Sequence, residues 1–293
     1  MTDDNSRVVL LETPVGPESA NISLGGGRVV LFTQCSPEKE SENEDTVAAV
    51  ECANGALVMM IADGAGGLPA GRRASQTAVR AMIDNVQSAD LHGALLRTAV
   101  LNGFEAANSA LLAQANGSAT TMTVVTIENG EARSYHVGDS EALVVGQRGR
   151  LKLQTTAHSP TGFAVEAGFL DRREALHHED RHLVFNFLGM NDMRVEIGTS
   201  IQLAERDTIL LASDGLSDNL HIEEIVECIR KGPLEKSLDM LVTASLERMM
   251  VEGDGLPSKP DDLSLILYRR AVAAKKPRRS FGPEDKKAQI TID

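Results

Sequence analysis

The chain has 293 residues, with 42 Asp+Glu against 29 Lys+Arg, a formal net charge of −13, no Trp and two Tyr. Excess acid and scarce aromatics exclude a nucleic-acid binder, which needs basic surface and stacking rings, and argue against adhesion to anionic membrane. The length suits one large domain or two small ones with a substantial core, and no apolar run approaches the roughly 18 residues that span a bilayer.

The N-terminal MTDDNSR is acidic, unlike the basic first segment of a signal peptide. Residues 1–27 are weakly patterned and read as a loose arm or an ill-defined first strand. From Arg28 the pattern turns to β: Val29–Phe32, then Thr46–Glu51 and Ala56–Ile61 around the hairpin signal Asn54-Gly55. Ala74, Ala78, Val79, Met82, Ile83 and Val86 keep the spacing of one helix face, and Leu91, Leu95, Leu96, Ala99, Val100, Ala107 and Leu111 that of a second. Strands resume at Thr120–Ile127, Ala132–Val137, Ala142–Val145 and Leu151–Thr155. Residues 158–190 have little periodicity and read as an irregular insertion. Ile197–Leu203 and Thr208–Ala212 read as strands, Ile222–Ile229 and Leu234–Met249 as amphipathic helices, and Leu263–Tyr268 as a last strand. Tight hairpins and helices in sequential pairs predict two antiparallel sheets packed together with helix pairs outside. Cys35, Cys52 and Cys228 are too few and scattered for a disulfide framework or a zinc site. They read as buried thiols, with a cytoplasmic compartment as the default.

The acids carry a sharper signal. Asp63 ends the apolar strand LVMMIAD and opens ADGAGG; Asp139 ends SYHVGDS; Asp214 ends TILLASDG; Asp261-Asp262 opens DDLSLIL; Asn43-Glu44-Asp45 begins a strand. One strand-end Asp beside Gly is an ordinary turn. Several, converging at one rim, repel: two carboxylates ~4 Å apart cost roughly 4 kcal/mol at an effective dielectric near 20. Two divalent cations offset four carboxylates, and an all-oxygen set without His or Cys suits Mg²⁺ or Mn²⁺. Adjacent glycines let backbone carbonyls approach an ion. Neighbours on a strand face opposite ways, so only one of Glu44/Asp45 and one of Asp261/Asp262 enters such a site directly. Asp214 and Asp218, four apart, share a face if SDGLSDNL is helical.

The ordered set ENED (42–45), ADGAGG (62–67), ATT (119–121), VGDS (137–140), SDGLSDNL (213–220) and PDDLSLIL (260–267) resembles the PPM, or type 2C, metal-dependent protein phosphatases. The resemblance covers about residues 28–270 and has the look of a bacterial member. It implies an α+β fold, an α-β-β-α sandwich, with one catalytic domain over 28–270 and a variable flap at about 158–190. It implies hydrolysis of phosphoserine and phosphothreonine in proteins by a metal-bridged hydroxide. Asp63 then matches the carboxylate bridging two Mg²⁺ or Mn²⁺ ions, Gly64 a backbone-carbonyl ligand, Asp45 a further metal contact, and Asp214 and Asp261 the remaining carboxylates of the pair. Asp139 and Asp218 match a weaker third metal site.

Three positions depart from the family pattern. Glu40 stands where members carry a phosphate-binding Arg, Glu141 follows Gly-Asp-Ser in place of Arg, and Ala65 follows Asp-Gly where many eukaryotic members have His. Losing the Arg removes a bidentate phosphate contact, for which Lys39, Arg72 and Arg73 are the candidate substitutes. Glu40 and Glu141 support an alternative reading, a low-activity phosphatase-like binding or regulatory module. A two-metal nuclease is disfavoured by the charge. His158, His177, His178 and His182 fit no zinc spacing, and His158 matches a structural family position. The tail 271–293 holds six Lys/Arg against three acids, a net of +3 that leaves −16 on residues 1–270. It reads as a disordered basic segment suited to an acidic partner.

Overall fold

The computed structural model describes residues 7–37, 39–65, 70–251 and 255–271. Its first elements are β1 (Arg7–Leu11), β2 (Glu18–Leu24), β3 (Gly27–Gln34), β4 (Asp45–Glu51) and β5 (Leu57–Asp63). The helices α1 (Gly71–Leu91) and α2 (Leu96–Gln114) follow, then β6 (Met122–Glu128), β7 (Glu131–Val137), β8 (Glu141–Val145) and β9 (Leu151–Gln154). Short α3 (Pro160–Glu166) and α4 (Arg172–Ala175) lead to β10 (Glu196–Ile197), β11 (Ile201–Gln202) and β12 (Thr208–Ala212). The chain closes with α5 (Asp214–Ser217), α6 (Ile222–Ile229), α7 (Leu234–Met250) and β13 (Leu263–Arg270).

Every strand pairing is antiparallel. One sheet runs β1-β4-β5-β6-β7-β10, with β11 also on β7, and the other β2-β3-β13-β12-β8-β9. Strict alternation explains why the central strands are buried on both faces. Val47, Ala49, Leu57, Met59 and Ile61 meet Ile209, Leu211, Ile266 and Tyr268 between the sheets. Their neighbours Ala48, Val50, Val58, Met60 and Ala62 face α1 and α2, packing on Ala78, Met82 and Phe104. On the far side Leu210, Leu265 and Leu267 pack on Ile225, Leu238 and Leu241 of α6 and α7. The layers are therefore α-β-β-α, as expected.

Several local expectations need correction. The stretch expected as a loose arm or an ill-defined first strand supplies two strands, β1 and β2, which add an edge strand to each sheet through main-chain pairing with β4 and β3. Backbone hydrogen bonds fix these strands where side-chain pattern is weak. Leu91 and Leu95 do not belong to the buried face of α2. They flank the break between the helices, where Gly93 has φ +65°, and both are exposed. Ile197–Leu203 is not one strand but two short pieces on β7. Of the cysteines only Cys52 is buried; Cys35 and Cys228 are half-buried, and all three are free thiols. The insertion 158–190 contains α3, α4 and irregular chain. Residues 1–6, Gly66 and Gly67 of ADGAGG, and the basic tail with its acidic-partner expectation beyond 271 lie outside the described residues. Among the described residues no helix is long and apolar enough to cross a membrane.

Candidate metal centre

The acidic motifs meet at one rim of the sandwich. Asp45 and Asp63 are direct cross-strand partners at the ends of β4 and β5. Each has the parity of the residues that point between the sheets, since Val47 and Ile61 do. The ATT motif fastens Asp63 in place: Thr120 Oγ1 donates to its carbonyl at 2.7 Å, and its N–H donates to Thr121 Oγ1 at 3.1 Å. Gly64 packs so tightly on Gly71 that a Cβ would overlap that residue's carbonyl. Asp139 lies in the link from β7 to β8, where the chain passes from one sheet to the other. Gly138 takes φ +106° there, and a side chain on it would strike Thr121.

Asp214 opens α5 and Asp218 caps it, so one turn of helix sets both on one face as the spacing predicted. The ammonium of Lys259 spans that face, 2.5 Å from Asp214 Oδ2, 2.8 Å from Asp218 Oδ2 and 3.1 Å from Asp261 Oδ2. The paired acids also separate as parity requires. Asp262 is consumed by donors: Ser36 N–H at 2.8 Å, Glu44 N–H at 2.7 Å and Lys39 Nζ at 2.7 Å. Asp261 stays beside Lys259. Glu44 pairs with Lys39 at 3.0 Å, while Asp45 turns inward.

Asp45 is buried with both carboxylate oxygens unpartnered, and Asp214 Oδ1 is in the same condition. The Ser213 and Ser264 hydroxyls flank Asp45. They donate elsewhere, to Asp262 O and Thr33 Oγ1. Such orphaned acceptors are costly unless a cation satisfies them. Burial, then the charge of Asp262, raises the Asp45 carboxyl well above the ordinary range. Burial, then Asp45, Asp214, Asp261 and Asp139, does the same to Asp63. Burial, then Asp214 and Asp218, raises Asp139, and burial with Asp214 brings Asp261 to about 7. Burial alone would lower the Lys259 ammonium, but Asp214, Asp218 and Asp261 override it and hold it above the usual lysine range. An acid cluster this strained and oxygen-only fits divalent ions.

Among the described residues, one trio of His, Cys, Asp or Glu has ligand atoms all within 4.8 Å of each other: His136, His158 and Glu196. The two hydrogen bonds of His158 oppose a metal there. His158 Nδ1 accepts the Gly138 N–H at 3.0 Å, so its Nε2 carries the hydrogen facing Glu196 at 3.4 Å. The His136 Nε2 lies 2.8 Å from the Thr156 carbonyl, to which it donates. The two rings stack with centroids 4.4 Å apart behind the Asp139 turn. His158 is thus structural, as expected, and holds Gly138.

A cavity of about 420 Å³ opens from Asp139, Asp214 and Asp218 toward α3, α4 and α6, lined also by Glu141, Arg172 and Arg181. Burial pushes the Glu141 carboxyl up to about 7, against the opposing charge of Arg172. Of the candidate phosphate-binding cations, Lys39 is held by Asp262 and Glu44. Arg72 turns away to the Glu12 carbonyl and Glu42. Sequence reasoning missed Lys259 and the clamp made by Asp262; a single Lys between two prolines carries no spacing signal.

A family model described as protein phosphatase 2C matches residues 37–250. The chain belongs to that family. It is 30% identical over 236 residues to the serine/threonine protein phosphatase PstP of Mycobacterium tuberculosis, covering 78% of this chain and 42% of that protein. The chain thus spans less than half the length of that relative. Among solved structures, the S. agalactiae serine/threonine phosphatase superposes with a TM-score of 0.69 at 24% identity, covering 87% of this chain and 100% of its own. The catalytic domain of PstP in complex with two manganese ions superposes with a TM-score of 0.61 at 23% identity, covering 90% and 99%. At these identities the structures speak to the fold.

Proposed function

We propose that the chain is a metal-dependent phosphatase acting on phosphoserine and phosphothreonine in proteins. The observation that carries this reading is the buried Asp45, with two orphaned oxygens, directly opposite Asp63, whose carboxyl also feels the charge of Asp214 with its orphaned Oδ1. Asp45, Asp63, Gly64, Asp214 and Asp261 would hold two Mg²⁺ or Mn²⁺ ions. Asp63, between the others, is suited to serve both. Such ions supply Lewis-acid activation of water and neutralise phosphoryl charge.

The chain's own groups do the rest. The Thr120 and Thr121 contacts fix Asp63, and Asp262 fixes the β4 entry through the Glu44 N–H. The cavity beside Asp139 gives room for residues flanking the phosphorylated side chain. With Glu40 in the usual Arg position, the phosphate meets the chain chiefly through metal. The test is turnover of a phosphopeptide with added Mn²⁺ or Mg²⁺. Activity that survives Asp63→Asn and Asp214→Asn would sink the proposal. A second reading, a phosphoprotein-binding module of low activity, is favoured by Glu40 and Glu141; binding of a phosphopeptide without metal-dependent turnover would select it.

A further inference from the structure

Lys259 stands where the third, weaker ion of the resemblance was expected. Its ammonium touches Asp218, expected in that third site, and Asp214, and it is the charge that opposes the rise of the Asp139 carboxyl. A flexible surface lysine could reach an acid cluster by chance. This one is built in. The buried Asn219 clamps its backbone from both sides, Oδ1 accepting the Lys259 N–H at 2.8 Å and Nδ2 donating to the Lys259 carbonyl at 2.8 Å. The same Nδ2 donates to Gly215 O at 2.9 Å, which ties the clamp to α5 and hence to Asp214 and Asp218. Arg181 donates to the Ser258 carbonyl at 3.0 Å, and Ser258 Oγ donates to Arg248 O at 2.8 Å. Pro260 follows Lys259 and favours an extended conformation there.

We propose that Lys259 is a resident cation that takes the place of a third metal ion, so that the centre loads two divalent ions and excludes another. The ammonium occupies Asp218 Oδ2 and Asp214 Oδ2, and a dication at the same oxygens would meet its positive charge at contact distance. Asp214 Oδ1 and both Asp45 oxygens keep no hydrogen-bond partner among the described residues, and Asp261 Oδ2 is the longest of the three Lys259 contacts at 3.1 Å, so the pair of ions keeps Asp45, Asp63 and Asp214 Oδ1 and shares Asp261 with the ammonium. Lys259 thereby acts as a positioning residue, holding Asp214, Asp218 and Asp261 together before any metal arrives.

Lys259's role rests on the two-metal reading above, and counting ions separates the two. The full chain is titrated with Mn²⁺, and bound metal is measured by equilibrium dialysis and by the loss of the free-Mn²⁺ spin signal. The expected result is two ions per chain for the natural protein and for Lys259→Arg, and three for Lys259→Met, the third binding more weakly. Three ions in the natural protein, one ion only, or a Lys259→Met count unchanged at two would each overturn the proposal while leaving a metal centre intact. No bound Mn²⁺ at all overturns both readings. Circular dichroism establishes that Lys259→Met is folded; if it is not, the count in the natural protein alone decides.

Discussion

At the scale of single residues, the centre divides acids by what their oxygens already do. Asp63 and Asp214 face the cluster; Asp262, buried and one residue from Asp261, is satisfied by three donors. The two kinds of aspartate should fail differently. Asp63→Asn or Asp214→Asn is expected to lower kcat/KM by at least about 10²-fold, since the charge that holds the ions is lost, while for Asp63→Asn, which has no cation partner to lose among the described residues, thermal stability without metal holds or rises because repulsion is relieved. Asp262→Ala is expected to cost about 3 kcal/mol of stability by leaving two N–H groups unpaired and Lys39 with Glu44 alone, with Asp262→Asn costing less. Denaturant unfolding of the metal-free proteins checks both signs.

At the scale of elements, the centre depends on close backbone approach. A Cβ on Gly215 would overlap the Asp262 carbonyl oxygen, so α5 and the start of β13 touch directly. Gly215→Ala must push them apart, and with them Asp214 and Asp261. A stability loss of about 2 kcal/mol is expected, together with weaker Mn²⁺ binding by titration. The turn between β7 and β8 depends on the stacked His136 and His158. Burial lowers both imidazoles from 6.5, for His158 against the pull of Glu196. The folded state therefore binds fewer protons than the unfolded one just below 6.5, and stability present above that value is lost as pH falls. Melting should drop between pH 7.5 and 5.5, and His136→Gln should shrink that drop.

At the scale of the whole molecule, two sheets hold carboxylates together against their own repulsion, so metal and fold are coupled. Ions that bind only the folded chain stabilise it by about 2.7 kcal/mol at 100 times Kd, a shift of several degrees for a chain this size. Chelation should therefore lower Tm, and Mn²⁺ should restore it. Protons compete for the same oxygens: without metal, burial and Asp214 push the Asp261 carboxyl up to about 7, and Asp45, Asp63 and Asp139 are all raised. Mn²⁺ affinity should fall as pH drops through about 7, measured by titration at pH 6 and 8. An affinity that is flat with pH would contradict the arrangement.

Much of this was legible in the sequence because it is local. Alternation along 57–63 buries Leu57, Met59 and Ile61 on one face and carries Asp63 onto the same side. The four-residue spacing of Asp214 and Asp218 puts both on one helical turn. Tight hairpins and paired helices already pointed to two packed antiparallel sheets with helices outside, and the acidic motifs, each beside an apolar strand, to cations at their rim. What needed the tertiary structure was set by contacts with no local trace. β1 and β2 join the sheets by main-chain pairing, which weak side-chain pattern conceals. Lys259 reaches Asp214 across 45 residues of chain, and Asp262 receives the Ser36 N–H across 226. The sequence by itself determined which residues are acidic, which way they face along each strand, and hence that charge would accumulate at one rim. Only the packing of the two sheets decided which lysine would share that rim, because an ion pair is made by distance in space and leaves no periodicity in the chain.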